Sequence, residues 1–195
     1  MALSKPPSDF NQRELRLVKS PRVLFRLSNR RHPSPLFWGK QGRYRFDSPG
    51  APFGVLYTAA SLKGAILETF GDRWYESRYL ARGTAQSYKV YRLNVQPAIT
   101  VADATGQQLG QLGTDSNLFS TTNYAESQAW GLAFMQHPMT PEGILYHSRK
   151  NPELKNLALF SRKETRAKVT ADRGINLLQH PDFNLVIDQL DVDLV

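Results

Sequence analysis

The sequence predicts one α+β domain of mixed and antiparallel strands with a few helices. Three observations carry this. Short runs rich in branched and aromatic residues, the mark of strands, recur at Val23–Leu27, Gly54–Ala59, Ser87–Val95, Ile99–Ala102, Gly143–His147 and Asn156–Phe160. Two segments, Leu62–Phe70 and Asn123–Gln136, instead repeat apolar residues at helical spacing. The 195 residues, 41% hydrophobic and 11% aromatic, suffice for one core, and no repeat, heptad or low-complexity tract divides them.

Residues 1–20 contain Pro6-Pro7 among polar and charged residues and are expected to form an N-terminal arm, with a short helix around Phe10–Val18. After the first strand, Asn29–Pro52 is crowded with Pro, Gly, Arg and aromatics, the composition of a long ordered loop. Ser61 is placed to cap the first helix, whose stripe is Leu62, Ala65, Ile66 and Thr69. Glu68 lies beside that stripe, over the small residues Gly64 and Ala65. In the strand Ser87–Val95, alternation puts Tyr91, Leu93 and Val95 on one face. Asn123-Tyr124-Ala125-Glu126 has the form of a capping box opening the second helix, with Ala125, Ala129, Leu132 and Ala133 as its stripe and Pro138 as its stop. The strands at 143–147 and 156–160 are separated by a polar turn at Lys150–Pro152. Lys163–Gly174 reads as a basic loop, and Asn184–Val195, alternating apolar and acidic, as a final strand or hairpin. The expected organisation is an arm over 1–20, the domain proper over 21–162, and a loop and strand over 163–195 that complete it.

The chain has no cysteine, which removes thiolate nucleophiles, disulfides and cysteine-based metal sites. No apolar run is long enough to span a bilayer, and the first residues lack the apolar centre of a secretory signal, which fits a cytoplasmic location and no membrane partner. The formal charge of +8 is uneven. Arg13–Arg45 holds ten Lys or Arg against Glu14 alone, a net +9, whereas Asp182–Val195 holds four Asp and no cation. Such asymmetry points to an anionic partner near the first third of the chain, a phosphate-bearing ligand above all; the plainer reading is a solvated basic face.

Arg26, Glu68 and Ser148 stand out as polar residues set in apolar runs. A guanidinium offers a planar fork of donors for a phosphate, a fixed carboxylate stabilises a developing cation, and a hydroxyl orients a neighbour. The ordinary alternatives are a surface arginine, a helix-surface glutamate and turn chemistry. Ser148 lacks a Gly-x-Ser-x-Gly elbow, so it is not read as a hydrolase nucleophile. His32, His137, His147 and His180 show no ligand spacing, Asp191-Val192-Asp193 lies in an acidic strand close to the C-terminus, and no metal site is expected. There is no glycine-rich phosphate loop.

With their flanks these residues resemble the RES domain family, named for that Arg, Glu and Ser, from about Arg22 to Phe160. The segments are Val23-Leu24-Phe25-Arg26-Leu27, Tyr57-Thr58-Ala59, Ala65-Ile66-Leu67-Glu68, Gly143-Ile144-Leu145-Tyr146-His147-Ser148-Arg149 and Asn156-Leu157-Ala158-Leu159-Phe160. The resemblance implies an ADP-ribosyltransferase-like fold and an enzyme that consumes NAD as substrate without a metal, by glycohydrolysis or ADP-ribosyl transfer. Such enzymes are often the toxin of a bacterial toxin–antitoxin pair. It further implies that Arg26 and Arg45 hold NAD and that Tyr57 lines the nicotinamide pocket. Glu68 would be catalytic, with Ser148 orienting Glu68, Arg26 or the ribose. The implied partner is a cognate antitoxin with a helix-turn-helix DNA-binding region; a homo-oligomer through the arm or the acidic tail is a further expectation. One departure is Leu36-Phe37-Trp38, where many members carry a tyrosine: the aromatic surface is kept and the hydroxyl lost. Two alternatives stand beside this reading. One is a nucleic-acid-binding protein using Arg13–Arg45 with Phe25, Phe37, Trp38 and Tyr44; the other is a degenerate member that binds a nucleotide without turning it over.

Overall fold

A computed structural model describes residues 5–32, 34–48, 50, 53–75 and 77–195. The start of the expected arm and Pro52 lie outside them. The first half contains β1 (Leu17–Lys19), β2 (Val23–Asn29), β3 (Val55–Ala59), α1 (Leu62–Phe70), β4 (Tyr79–Leu80), α2 (Arg82–Gln86) and β5 (Tyr88–Val95). Then come β6 (Thr100–Ala104), α3 (Gln108–Leu112), α4 (Asn117–Ser120), α5 (Tyr124–Gln136), β7 (Gly143–His147) and β8 (Lys155–Phe160). The chain ends with α6 (Lys163–Ala167), β9 (Val169–Ala171), β10 (Ile175–Asn176), α7 (Phe183–Gln189) and β11 (Asp193–Leu194).

The main sheet runs β1-β6-β7-β8-β3-β2-β5-β10, with β9 also on β5, and β4 pairs with β11 separately. Within the main sheet only the β6–β7 pair is parallel among the described residues. This is the mixed α/β, mostly antiparallel domain that the sequence predicts. The sheet has a weak seam: β2 and β3 are joined by one registered pair, Phe25 with Ala59, whereas β2 matches β5 over seven residues. Either side of that pair the strands part.

Alternation sorts the core. Phe25, Leu27, Ala59 and Val90 face α1, packing with Ile66, Phe70, Trp74, Phe183 and Ile187. Val55, Ile144, Tyr146, Ala158 and Phe160 face α5, with Phe10, Phe46, Trp130 and Phe134. On the opposite face, Leu24, Leu56, Leu93, Val101, Leu157 and Leu159 share one cluster, so the sheet curls enough to bring β5 and β6 to a common core.

Several elements differ from the sequence reading. The arm is not helical over Phe10–Val18: a 3-10 turn at Phe10–Gln12 buries Phe10 against Trp130 and Phe134, and residues 17–19 then pair with β6. The buried stripe of α5 is Ser127, Trp130, Gly131 and Phe134, not the alanine stripe; the aromatic rings bury far more area, and the helix turns to place them inside. Gly131 is required there, because a Cβ would stand 2.5 Å from the carbonyl oxygen of Phe46. Asn123 caps this helix through Ala125 N–H at 3.2 Å, without the reciprocal Glu126 bond expected of a capping box. The supposed basic loop forms α6 and β9. The supposed last strand is mostly α7, because Phe183, Val186 and Ile187 fall at three- and four-residue spacing and are buried together. Ser61 caps α1 as expected, accepting from Gly64 N–H at 3.1 Å.

Candidate active site

Four neighbouring strands, β7, β8, β3 and β2, carry most of the polar residues of interest, and α1 supplies Glu68 across them. Glu68 is exposed, at the helix surface: Leu67 and Phe70 are buried, but the glutamate between them faces outward. Its carboxylate is nevertheless held. Ser148, just past the end of β7 and 1% exposed, donates its hydroxyl to Glu68 Oε1 at 2.5 Å. Asn156, on β8 and equally buried, donates Nδ2 to the same oxygen at 3.0 Å and packs over Gly64. The second oxygen, Oε2, accepts no hydrogen bond among the described residues.

Arg45 lies close enough to Glu68 to feel its charge, as does Tyr146. Arg45 is buried, and its NH1 donates to the carbonyls of Thr121 at 2.8 Å and Leu118 at 3.5 Å, with the guanidinium 5.1 Å from the Tyr124 ring. Burial, then Arg149, lowers its pKa, against opposing effects of Tyr124, Tyr146 and Glu68. Tyr146 is pushed well above the usual phenol range, first by burial and then by Glu68. It stays a neutral phenol at any working pH.

Tyr57 belongs to a second group. Its hydroxyl donates to Asp47 Oδ1 at 3.1 Å and accepts from Phe46 N–H at 2.8 Å, while its ring meets Tyr44 edge-on at 5.6 Å. Asp47 is 1% exposed, and its Oδ2 also accepts the Arg43 and Tyr44 N–H groups at 3.1 and 3.2 Å. One carboxylate thus fixes both Tyr57 and the loop that carries Arg45. Gln128 on α5 ties down the same loop through the carbonyls of Gly42 and Tyr44.

Arg26 joins neither group through a side chain. It alternates with Phe25 and Leu27, which face α1, so its Cβ starts on the other side of the sheet. The side chain lies at the seam, where NH1 donates to the Tyr57 carbonyl at 2.6 Å. Its Nε is buried without a partner among the described residues, and burial lowers its pKa. No hydrogen bond or ion pair joins Arg26 to Glu68 among those residues. The structure therefore brings Glu68 and Ser148 together directly, sets Arg45 within electrostatic reach, and leaves Arg26 and Tyr57 joined through backbone.

Asn156 and Asp47 were not singled out from the sequence as site residues, and Tyr44 was named only as an aromatic of the nucleic-acid alternative. Asn156 had a readable signal, an amide heading the apolar run Leu157-Ala158-Leu159-Phe160. Asp47 had none, because only the folded loop brings its partners round it. Some cations of the basic segment are engaged within the fold: Arg13 with Asp9 and the Gln111 carbonyl, Arg16 with Asp103, Lys19 with Thr100. Phe37 and Tyr44 are exposed, as are Arg22, Arg30, Arg31, Lys40 and Arg43.

The model of the RES domain matches residues 23–185, most of the chain. The chain belongs to the RES domain family. The match runs past Phe160, the limit read from the sequence, so α6, β9, β10 and the start of α7 lie inside the RES domain. The fold has a solved counterpart in a chain of the M. tuberculosis MbcT–MbcA toxin–antitoxin complex. That chain is 15% identical with a TM-score of 0.66, over 90% of this chain and 91% of that one. No curated protein matches the sequence. Among the described residues of this RES domain no helix is long and apolar enough to cross a membrane, and no group of three or more His, Cys, Asp or Glu is placed to hold a metal ion.

The carboxylates predict opposite pH behaviour. Burial raises the pKa of Asp47 against the hydrogen bonds from Tyr57, Tyr44 and Arg43. The folded state therefore holds this proton more tightly, and the stability it confers is present below the ordinary value of 3.8 and lost as pH rises through the folded-state value. For Glu142 burial alone would raise the pKa, but Lys168, the Thr100 N–H and Thr165 together lower it. Its contribution is present above 4.5 and lost as pH falls through the folded-state value. In urea unfolding across acidic pH, the stability of the parent minus that of Asp47→Asn should fall with rising pH. The same difference for Glu142→Gln should rise. Slopes of one sign would contradict the assignment.

Proposed function

We propose that this chain is the toxin of a bacterial toxin–antitoxin pair and that it breaks the nicotinamide–ribose bond of NAD. The observation that carries the reading is the half-anchored carboxylate of Glu68. One oxygen is held by Ser148 and Asn156 at 2.5 and 3.0 Å, and the other accepts no hydrogen bond among the described residues, on an exposed side chain of a RES-family chain. Cleavage moves the electron pair of the C1′–N bond onto the pyridinium nitrogen and leaves positive charge on the ribose. A carboxylate that is already oriented stabilises that charge without reorganising. Ser148 and Asn156 hold it; they are not nucleophiles.

In this reading the unpartnered Arg26 Nε, at the seam between β2 and β3, is the donor that a phosphate oxygen of NAD would satisfy. Tyr57, with Tyr44 beside it, forms the aromatic wall, and Arg45 sets the positive field next to Glu68. The acceptor is water: its oxygen bonds to C1′, one proton is released, and the products are ADP-ribose and nicotinamide. The partner is an antitoxin with a helix-turn-helix region, as in other pairs of this family. The nucleic-acid reading has less to rest on, since Arg26 and Arg45 both donate to backbone carbonyls within the fold.

Incubation of the purified chain with NAD in 18O-labelled water tests this. Equal amounts of nicotinamide and of ADP-ribose with one heavy oxygen at C1′ are expected, and expression should arrest growth unless Glu68 is replaced. Nicotinamide released without a matching amount of free ADP-ribose would transfer the reaction to another acceptor. No release would overturn the reading.

A further inference from the structure

The turn that follows β7 grips the end of α1 with three consecutive residues. Ser148 reaches the Glu68 carboxylate, Arg149 pairs with Asp72 at 2.5 Å, and Lys150 Nζ lies 3.2 Å from the backbone carbonyl of Glu68 and 3.4 Å from Asp72 Oδ1. The Lys150 side chain is only 6% exposed, unusual for a lysine, while Asp72 is 65% exposed. Its stem crosses Gly71 so closely that a Cβ there would stand 2.6 Å from Lys150 Cδ. The Glu68 carbonyl is in the last turn of α1, where carbonyls lack intrahelical partners and a cation is favoured. Lys150 also acts through its backbone. Its N–H donates to Ser148 Oγ at 3.2 Å, which fixes the rotor so that the single hydroxyl hydrogen points to Glu68.

We propose that Lys150 is a positioning residue for Glu68. Its ammonium locks the last turn of α1 to the β7–β8 connection, and so sets the height at which the carboxylate meets Ser148 and Asn156. This rests on the NAD-cleaving reading above. It assigns Lys150 no contact with substrate. Asp72, bridging Arg149 and Lys150, is the outer end of the same clamp.

Lys150→Met and Lys150→Arg test it: the first keeps the stem over Gly71 and removes the charge, and the second restores a cation. Steady-state NAD turnover is measured per folded molecule, well below each variant's Tm. Lys150→Met is expected to lower kcat about tenfold or more with KM within about twofold, since small misplacements of a reacting group are costly. Lys150→Arg should recover most of kcat. A kcat for Lys150→Met within about twofold of the parent, a loss carried by KM, or an equal loss in Lys150→Arg would each overturn the proposal. The 13C resonance of Glu68 Cδ is recorded beside it. One sharp signal in the parent that broadens or splits in Lys150→Met supports the clamp, and an unchanged signal overturns it. If the parent releases no nicotinamide, the function reading fails, and the resonance alone still decides the clamp.

Discussion

Glu68→Gln is expected to lower kcat for nicotinamide release about a thousandfold, the scale of losing one oriented electrostatic group at a reacting centre. The fold should be unaffected, because the side chain is exposed and the amide oxygen can still accept from Ser148 and Asn156. What is lost is the charge that opposes the cationic ribose. Ser148→Ala and Asn156→Ala each remove one donor and leave that charge in place, so each should cost about ten- to a hundredfold. Because both donors serve the same oxygen, the double variant should lose less than the product of the single losses. Steady-state kinetics with chromatographic quantitation of nicotinamide checks the series. A Glu68→Gln enzyme within tenfold of the parent would remove Glu68 from the chemistry.

The largest expected effect on stability is at Trp130. Its side chain is fully buried and packs edge-on against Phe10 with ring centres 5.1 Å apart, and beside Phe134 at 6.0 Å. Trp130→Ala removes the aromatic body that joins α5 to the 3-10 turn at Phe10–Gln12, at a cost of about 3–5 kcal/mol. For a chain of this size that is a fall in Tm of roughly 10 °C. Gly131→Ala adds one methyl where the Phe46 carbonyl leaves no room, and should cost about 1–3 kcal/mol. That cost carries a functional mark, because the displaced backbone lies between Arg45 and Asp47. Gly131→Ala should therefore raise KM for NAD in its folded fraction, whereas Trp130→Ala acts mainly by unfolding. Urea denaturation with kinetics on both variants separates the two.

What the sequence discloses, and what it conceals, follows from how far apart the interacting groups lie along the chain. The strands at 23–29, 55–59, 88–95, 143–147 and 155–160 and the helix α1 with its Ser61 cap were legible, because period and capping are local. Glu68 and Ser148 drew attention for another local reason, polar groups in apolar runs, yet nothing local says that they lie 2.5 Å apart. The alanines of α5 misled because they share helical spacing with the Ser127–Trp130–Gly131–Phe134 face, and bulk rather than spacing decides which stripe turns inward. The C-terminal segment misled because acidic residues at 188, 191 and 193 mimic strand alternation, while Phe183, Val186 and Ile187 follow the helical period. The site's supporting groups were the least visible. Asp47, Asn156 and Lys150 gain their roles from partners 10, 88 and 82 residues away, contacts that only the folded chain creates.

A time course of nicotinamide release from NAD by the purified chain alone, with Glu68→Gln run at the same concentration, tests NAD cleavage and the role of Glu68 together. Steady release by the parent and about a thousandfold less by the variant are expected, with both showing the same Tm. Equal release by the two would contradict the role given to the half-anchored carboxylate, and release by neither would contradict NAD cleavage by this chain.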